Sequence, residues 1–231
     1  MMGRIRRVRF PIAIAACALA ISANASEPAA APTPEEAMRV RVADLSYGGG
    51  ATSVCFSSGY LALLDRETTI DVAREPVRVE LGSDTLFEFP FAVLSGEGGF
   101  QLTDAEAMNL RLYLERGGFV LASAGCSNDR WARDFEREVA AIFADNPLQA
   151  LGRDHEVFHT VFDVNGFQTS AWKGEAELYG LSVDGRLAMI YSPQGLNDTG
   201  NAGGGCCCCG GNEIRNAKYI NANVLAYALT R

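Results

Sequence analysis

Phe89–Asp129 reads FPFAVLSGEGGFQLTDAEAMNLRLYLERGGFVLASAGCSND. Phe89–Leu94 is apolar without alternation, the pattern of a strand buried on both faces. Ser95–Phe100 carries three glycines and reads as a loop. Thr103 and Glu106 have capping-box spacing, which predicts a helix from about Asp104. Ala107, Leu110 and Leu114 make its apolar stripe, with Met108 and Leu112 on a second face. Gly117-Gly118 supplies a left-handed stop, Phe119–Ser123 reads as a second buried strand, and Gly125-Cys126 follows. Strand, helix and strand at this spacing form a βαβ unit, which calls for a parallel pair.

Upstream, Met38–Leu45 reads as the first strand, followed by Tyr47-Gly48-Gly49-Gly50. A helix is expected to open at Ala51-Thr52-Ser53, bearing Phe56, Tyr60, Leu61, Leu63 and Leu64, with Gly59 in its middle. Pro76–Leu81 alternates charge and reads as an edge strand. Downstream, Asn128 or Asp129 caps a helix to about Ala144, with Phe135, Val139, Ile142 and Phe143 facing inward. Pro147–Phe167 fits no single pattern. Glu177–Tyr191 reads as a hairpin turned at Asp184-Gly185, and a last helix spans about Asn216–Leu229. The expected fold is α/β: a doubly wound, mostly parallel sheet of flavodoxin type in a three-layer sandwich, with a C-terminal hairpin and final helix. In such sheets ligands bind at the carboxyl ends of the strands. Tyr47–Gly50, Ser95–Phe100, Gly125–Asp129 and Ser192–Asp198 all follow strands, so all four are expected on one rim.

The chain opens with Arg4, Arg6, Arg7 and Arg9, an apolar Pro11–Ile21 and an Ala23-Asn24-Ala25 cleavage pattern. Residues 1–25 therefore read as a signal peptide, with export to a periplasm or the exterior. A lipoprotein box at Ile14–Cys17 and a twin-arginine signal at Arg6-Arg7 are weaker alternatives. The apolar run is too short to span a bilayer. Residues 26–37 are a Pro/Ala-rich spacer, and 38–231 are expected to form a single domain. Losing the four arginines would take the net charge from −8 to −12. An acidic chain disfavours nucleic acid and anionic membrane as partners, leaving a small ligand or a protein.

The combination of YGGG after the first strand, a GxGGF loop, GGF opening the fourth strand, an Asp-His turn, DGR…IYSP and a final YALT resembles domain of unknown function family 4159. The resemblance runs from Arg39 to Arg231. It implies a fold similar to the class I glutamine amidotransferase-like, flavodoxin-like sandwich and implies no activity. The family usually carries an acidic pair near Ser123-Ala124, and this chain has none there.

Three readings of the site follow. The first is noncatalytic binding at the rim by Tyr47, Gly48, Gly49, Gly50, Glu97, Asn128, Asp129, His155, Asn197 and Asp198. Within it, Tyr47–Gly50 before a helix would form an anion nest, or simply a close-packed turn. The second is a cysteine hydrolase or amidase using Cys126, set on a turn after a central strand. The chain lacks both the second glycine of an amidotransferase elbow and its later His-x-Glu. The third is metal binding, with zinc as cofactor, by His155 and His159 of an H-E-x-x-H match or by Cys206, Cys207, Cys208 and Cys209. That third reading meets strand-favouring residues after His159, and adjacent cysteines point to opposite sides of an extended chain. A disulfide-stapled loop is the first reading of the four cysteines, ahead of metal binding and of unpaired thiols, and no cofactor at all is the leading expectation.

Overall fold

The computed structural model describes residues 38–50, 52–53, 55–169, 176–199 and 214–231. The signal-peptide and spacer segments and the four-cysteine run lie outside the described residues. One sheet organises what is described. Its strands are β1 (Val42–Ser46), β2 (Val77–Glu80), β3 (Phe91–Gly96), β4 (Phe119–Ala124), β5 (Gln149–Ala150), β6 (Tyr179–Val183) and β7 (Arg186–Ser192). Their order is β2-β1-β3-β4-β7-β6-β5. The first five in that order run parallel, and β6 and β5 add an antiparallel edge.

Burial explains the order. Every residue of β3 and β4 is buried, so these apolar runs take the centre. In β2 only Val79 is buried, as the alternating charges predict for an edge. The hairpin between β6 and β7 turns at Asp184 and Gly185, both at positive φ, which the Asp-Gly pair tolerates.

Among the described residues four α-helices cover the sheet: α1 (Gly59–Glu67), α2 (Asp104–Glu115), α3 (Asp129–Ile142) and α4 (Ala217–Thr230). Leu110 and Leu114 of α2 and Trp131, Phe135 and Val139 of α3 share one core with Ala92, Leu94, Val120 and Ala122. Leu61 and Leu64 of α1 and Ile220 and Val224 of α4 share the other with Phe91, Val93, Phe119 and Leu121. The result is a doubly wound α/β sandwich with the strand order of flavodoxin-like sheets. No helix among the described residues is long and apolar enough to cross a membrane.

The βαβ reading is accurate at its helix. Thr103 accepts from the Glu106 N–H while Glu106 accepts from the Thr103 N–H, a complete capping box. Gly117 has a φ of +101°, the left-handed stop. Four expectations need correction. The first strand begins at Val42, not Met38, because Met38 is exposed and Val40 makes only an isolated bridge to Val72. Met108 is exposed too, so α2 has no second apolar face there. The Ala51-Thr52-Ser53 helix does not form at that point. Thr52 bridges Gly96 and the Ser53 N–H donates to Ser95 O, so these two residues satisfy their backbone on the sheet. The helix starts only at Gly59, which is therefore its first residue, and Phe56 lies off it.

The edge pair of β1 and β2 holds a titrating group. Asp44 lies beside Arg78, 3.1 Å away, yet its Oδ1 is buried without a partner. Burial raises its pKa from 3.8 to about 6, with Arg78 pulling the other way. The folded state thus holds this proton more tightly than the unfolded chain. The stability it gives is present below about pH 4 and is lost as pH rises through about 6. We expect Asp44→Asn to raise unfolding stability at pH 7 by on the order of 2 kcal/mol and to change little near pH 4. Urea unfolding of both proteins across that range checks it.

Candidate functional site at the strand ends

The carboxyl ends of β1, β3, β4 and β7 do meet. Tyr47 is buried, donates its hydroxyl proton to Ser95 O at 3.0 Å, and accepts from Trp131 Nε1 at 2.6 Å. Glu97, half-buried after β3, accepts from Ser53 Oγ at 3.1 Å, and the Cys126 sulfur lies 3.5 Å from the same carboxylate oxygen. A Cβ on Gly125 would fall 2.6 Å from Glu97 Cγ and 2.8 Å from Gly96 O, so only glycine lets β4 end this close to Glu97. Ser123 donates to Asn197 Oδ1 at 2.5 Å and accepts from the Leu196 N–H.

Beneath the rim runs a row of buried serines in register, Ser95, Ser123 and Ser192 at the ends of β3, β4 and β7. Asn197 and Asn221 pack with them, the Asn221 amide donating to Leu196 O. Ser95 Oγ, Asn197 Nδ2 and Asn221 Oδ1 are buried with no hydrogen-bond partner. Buried polar atoms in this state are costly, and a water or ligand group is the usual remedy.

The crevice between β1 and β3, where the strand order reverses, is crossed by the chain itself. Beyond the Thr52 and Ser53 contacts, Thr52 Oγ1 donates to Leu45 O at 2.9 Å and the Ser57 N–H to Asn197 O at 2.8 Å. The open space lies beside it. A cavity of about 350 Å³ is lined by Ser46, Tyr47, Gly49, Gly50, Glu80 and Glu106, among others.

The expected anion nest takes a different form. Gly48, Gly49 and Gly50 all have positive φ, which a glycine turn tolerates. However, no helix follows directly, and the Gly48 N–H donates to Glu106 Oε1 at 3.0 Å. The capping-box carboxylate of α2 is the anion that this turn holds.

Asn128 and Asp129 sit at the start of α3, where Asn128 Oδ1 accepts from the Trp131 backbone N–H at 2.9 Å and Asp129 is exposed. Asp198 is buried at a φ of +53°. The chain belongs to the DUF4159 family. Its family model, described as a domain of unknown function, matches residues 41–229. The comparison with curated proteins finds no match. In this DUF4159 chain the rim therefore has to be read from its own geometry.

His155 lies off the rim. His155 caps a single 3-10 turn, Glu156–Phe158, and its Nδ1 accepts from the Val157 N–H. Its ring packs on Tyr227 at 5.7 Å, and Tyr227 packs on Phe119, the first residue of β4. His155 is therefore at the amino end of the strands, opposite Cys126. His159 follows the turn rather than sharing a helical face with His155. Its Nδ1 is 3.1 Å from Asp163 and its Nε2 3.0 Å from Arg153 O. The Arg153 carbonyl, then Asp163, hold its pKa above the usual value, which favours a cation over a metal ligand. The helix that H-E-x-x-H chemistry requires is absent from this stretch. No group of three or more potential metal-binding side chains exists among the described residues. The four-cysteine alternative falls outside them.

In the sequence Ser53 reads as a helix start and Ser95 as a loop end, yet both lie at the rim; the serines that close β3, β4 and β7 are the signal for Ser95.

Proposed function

We propose that this DUF4159 protein is exported and that its strand-end rim binds a small polar ligand without chemical turnover. One observation carries the reading: loops from β1, β3, β4 and β7 meet within hydrogen-bond distance, and a cavity of about 350 Å³ opens on the β2 side of that meeting point, sharing Tyr47 with it. Glu80 and Glu106 in its lining oppose an anion, so the fitting ligand is neutral or cationic with hydroxyl or amine groups. The amino-terminal Arg-rich and apolar segments support export.

The geometry gives less to the hydrolase reading. Cys126 has the strained φ of +53° that a nucleophile on a tight turn often shows. Its sulfur lies 3.5 Å from a Glu97 carboxylate oxygen, and His155, the base such chemistry would use, lies at the far end of the sheet. We further propose that Cys55 and Cys126 are oxidised, with partners among Cys206–Cys209. In support, an exported chain meets an oxidising compartment, and Cys55 is fully buried. Mass analysis with and without reductant would find free thiols at both positions if that is wrong.

Thermal melts of the exported protein against sugars, amino acids and amines test the rim. We expect at least one compound to raise the melting temperature in the parent and not in Gly49→Val or Glu80→Gln. A stabilising compound indifferent to both substitutions, or no stabilising compound, rejects the rim as the binding site.

A further inference from the structure

A second hollow lies away from the rim, where α3 meets β6 and β7. It has a volume of about 350 Å³. Tyr191 and Tyr179 form one wall, their ring centroids 6.1 Å apart at an angle of 36°. They are register partners across the β6–β7 pair, so the sheet fixes their spacing. Val139, Pro147 and Leu148 supply an apolar wall opposite. Tyr191 is fully buried and further held by Phe135, with centroids 4.5 Å apart. The aromatic floor is thus rigid before any ligand arrives.

Both phenols point their protons at carboxylates. Tyr191 donates to Glu136 Oε1 at 3.0 Å, and Tyr179 donates to Glu177 Oε2 at 2.8 Å. Each bond leaves lone pairs on its carboxylate for another donor. The field here is negative. Tyr179 is held protonated first by its bond to Glu177, and Tyr191 first by burial and then by Glu136. No basic group offsets this at either phenol, and none lines the hollow among the described residues. The chain as a whole carries a net charge of −8.

We propose that this hollow binds a small organic cation: an ammonium head against Tyr179 and Tyr191, beside Glu136 and near the Glu177 carboxylate that Tyr179 bonds, with its carbon substituents on Val139, Pro147 and Leu148. Aromatic faces attract a cation through their quadrupole, and the carboxylates add direct charge attraction. A bare metal ion fits poorly, because the phenols present protons to the carboxylates and most of the wall is carbon. A neutral apolar ligand would fill the walls and leave the charge unanswered.

Calorimetric titration with choline and with neohexanol, its neutral carbon isostere, tests the assignment. Choline is expected to bind saturably and at least about tenfold more tightly than neohexanol. Glu136→Gln and Tyr179→Leu are each expected to weaken choline by about tenfold while the melting temperature stays near that of the parent. Should Glu136→Gln fail to fold, Glu177→Gln takes its place, since Glu177 is exposed. Equal binding of neohexanol, absence of choline binding, or choline binding that survives both substitutions overturns the proposal. Rim variants such as Glu80→Gln are expected to leave choline binding unchanged, which separates this site from the one at the strand ends.

Discussion

Trp131→Ala is expected to destabilise the fold by roughly 3–5 kcal/mol, the range for a large aromatic removed from a closed core. Trp131 is fully buried at the first turn of α3. It stacks on Phe135 with centroids 5.0 Å apart and lies 5.7 Å from Phe100 and 6.4 Å from Tyr191, so three rings lose a face at once. The indole also reaches beyond its own core. Its N–H donates to the Tyr47 hydroxyl, which itself donates to Ser95 O. One side chain thereby ties α3 to the exits of β1 and β3. Trp131→Phe separates the two contributions. It keeps much of the packing and removes the donor, and should cost roughly 1–2 kcal/mol. Equilibrium unfolding in urea measures both. A Trp131→Ala loss no larger than that of Trp131→Phe would mean that packing at this position carries little.

The second large effect is expected at Asn223, in the middle of α4 and fully buried. Its Oδ1 accepts from the N–H groups of Val161 and Phe162, at 3.0 and 2.8 Å, and its Nδ2 donates to Phe162 O at 2.8 Å. One amide thus serves three backbone groups of a segment that has almost no regular structure. Asn223→Leu conserves volume and orphans all three. Each unsatisfied group costs about 1–3 kcal/mol, partly relieved by water at this half-buried segment, so a net loss of about 3 kcal/mol is expected. Amide exchange over residues 156–168 should accelerate more than global unfolding explains. Unchanged exchange there would show that the segment is held by its apolar contacts alone.

These two residues mark where the sequence was readable and where it was not. Local signals served well. Thr103 and Glu106 lie three residues apart, and their spacing alone fixed the start of α2. Asp184-Gly185 fixed the hairpin, and the unbroken apolar runs of β3 and β4 fixed the centre of the sheet. Contacts that close over long stretches left no such trace. Asn223 meets Val161 across 62 positions, and Glu106 meets Gly48 across 58. A buried asparagine in a helix reads locally as a poor helix former, and nothing nearby reveals the loop it serves. The stretch after Gly50 failed for a related reason. Its serines and threonine fit a helix start, but the free ends of β1 and β3 offered better partners. Pattern alone does not thread Pro147–Phe167, whose path along α4 depends on Asn223, so nothing local signals that His155 lies at the amino end of the strands.

Glu106 has a consequence for any molecule entering the rim cavity. One carboxylate closes the first turn of α2 through Thr103 and holds the glycine turn through Gly48. A guest that drew this carboxylate away would loosen both at once, fraying the helix while freeing the turn. Occupancy would then be legible at a distance, as a change in the order of α2 rather than only in the hollow that the guest fills.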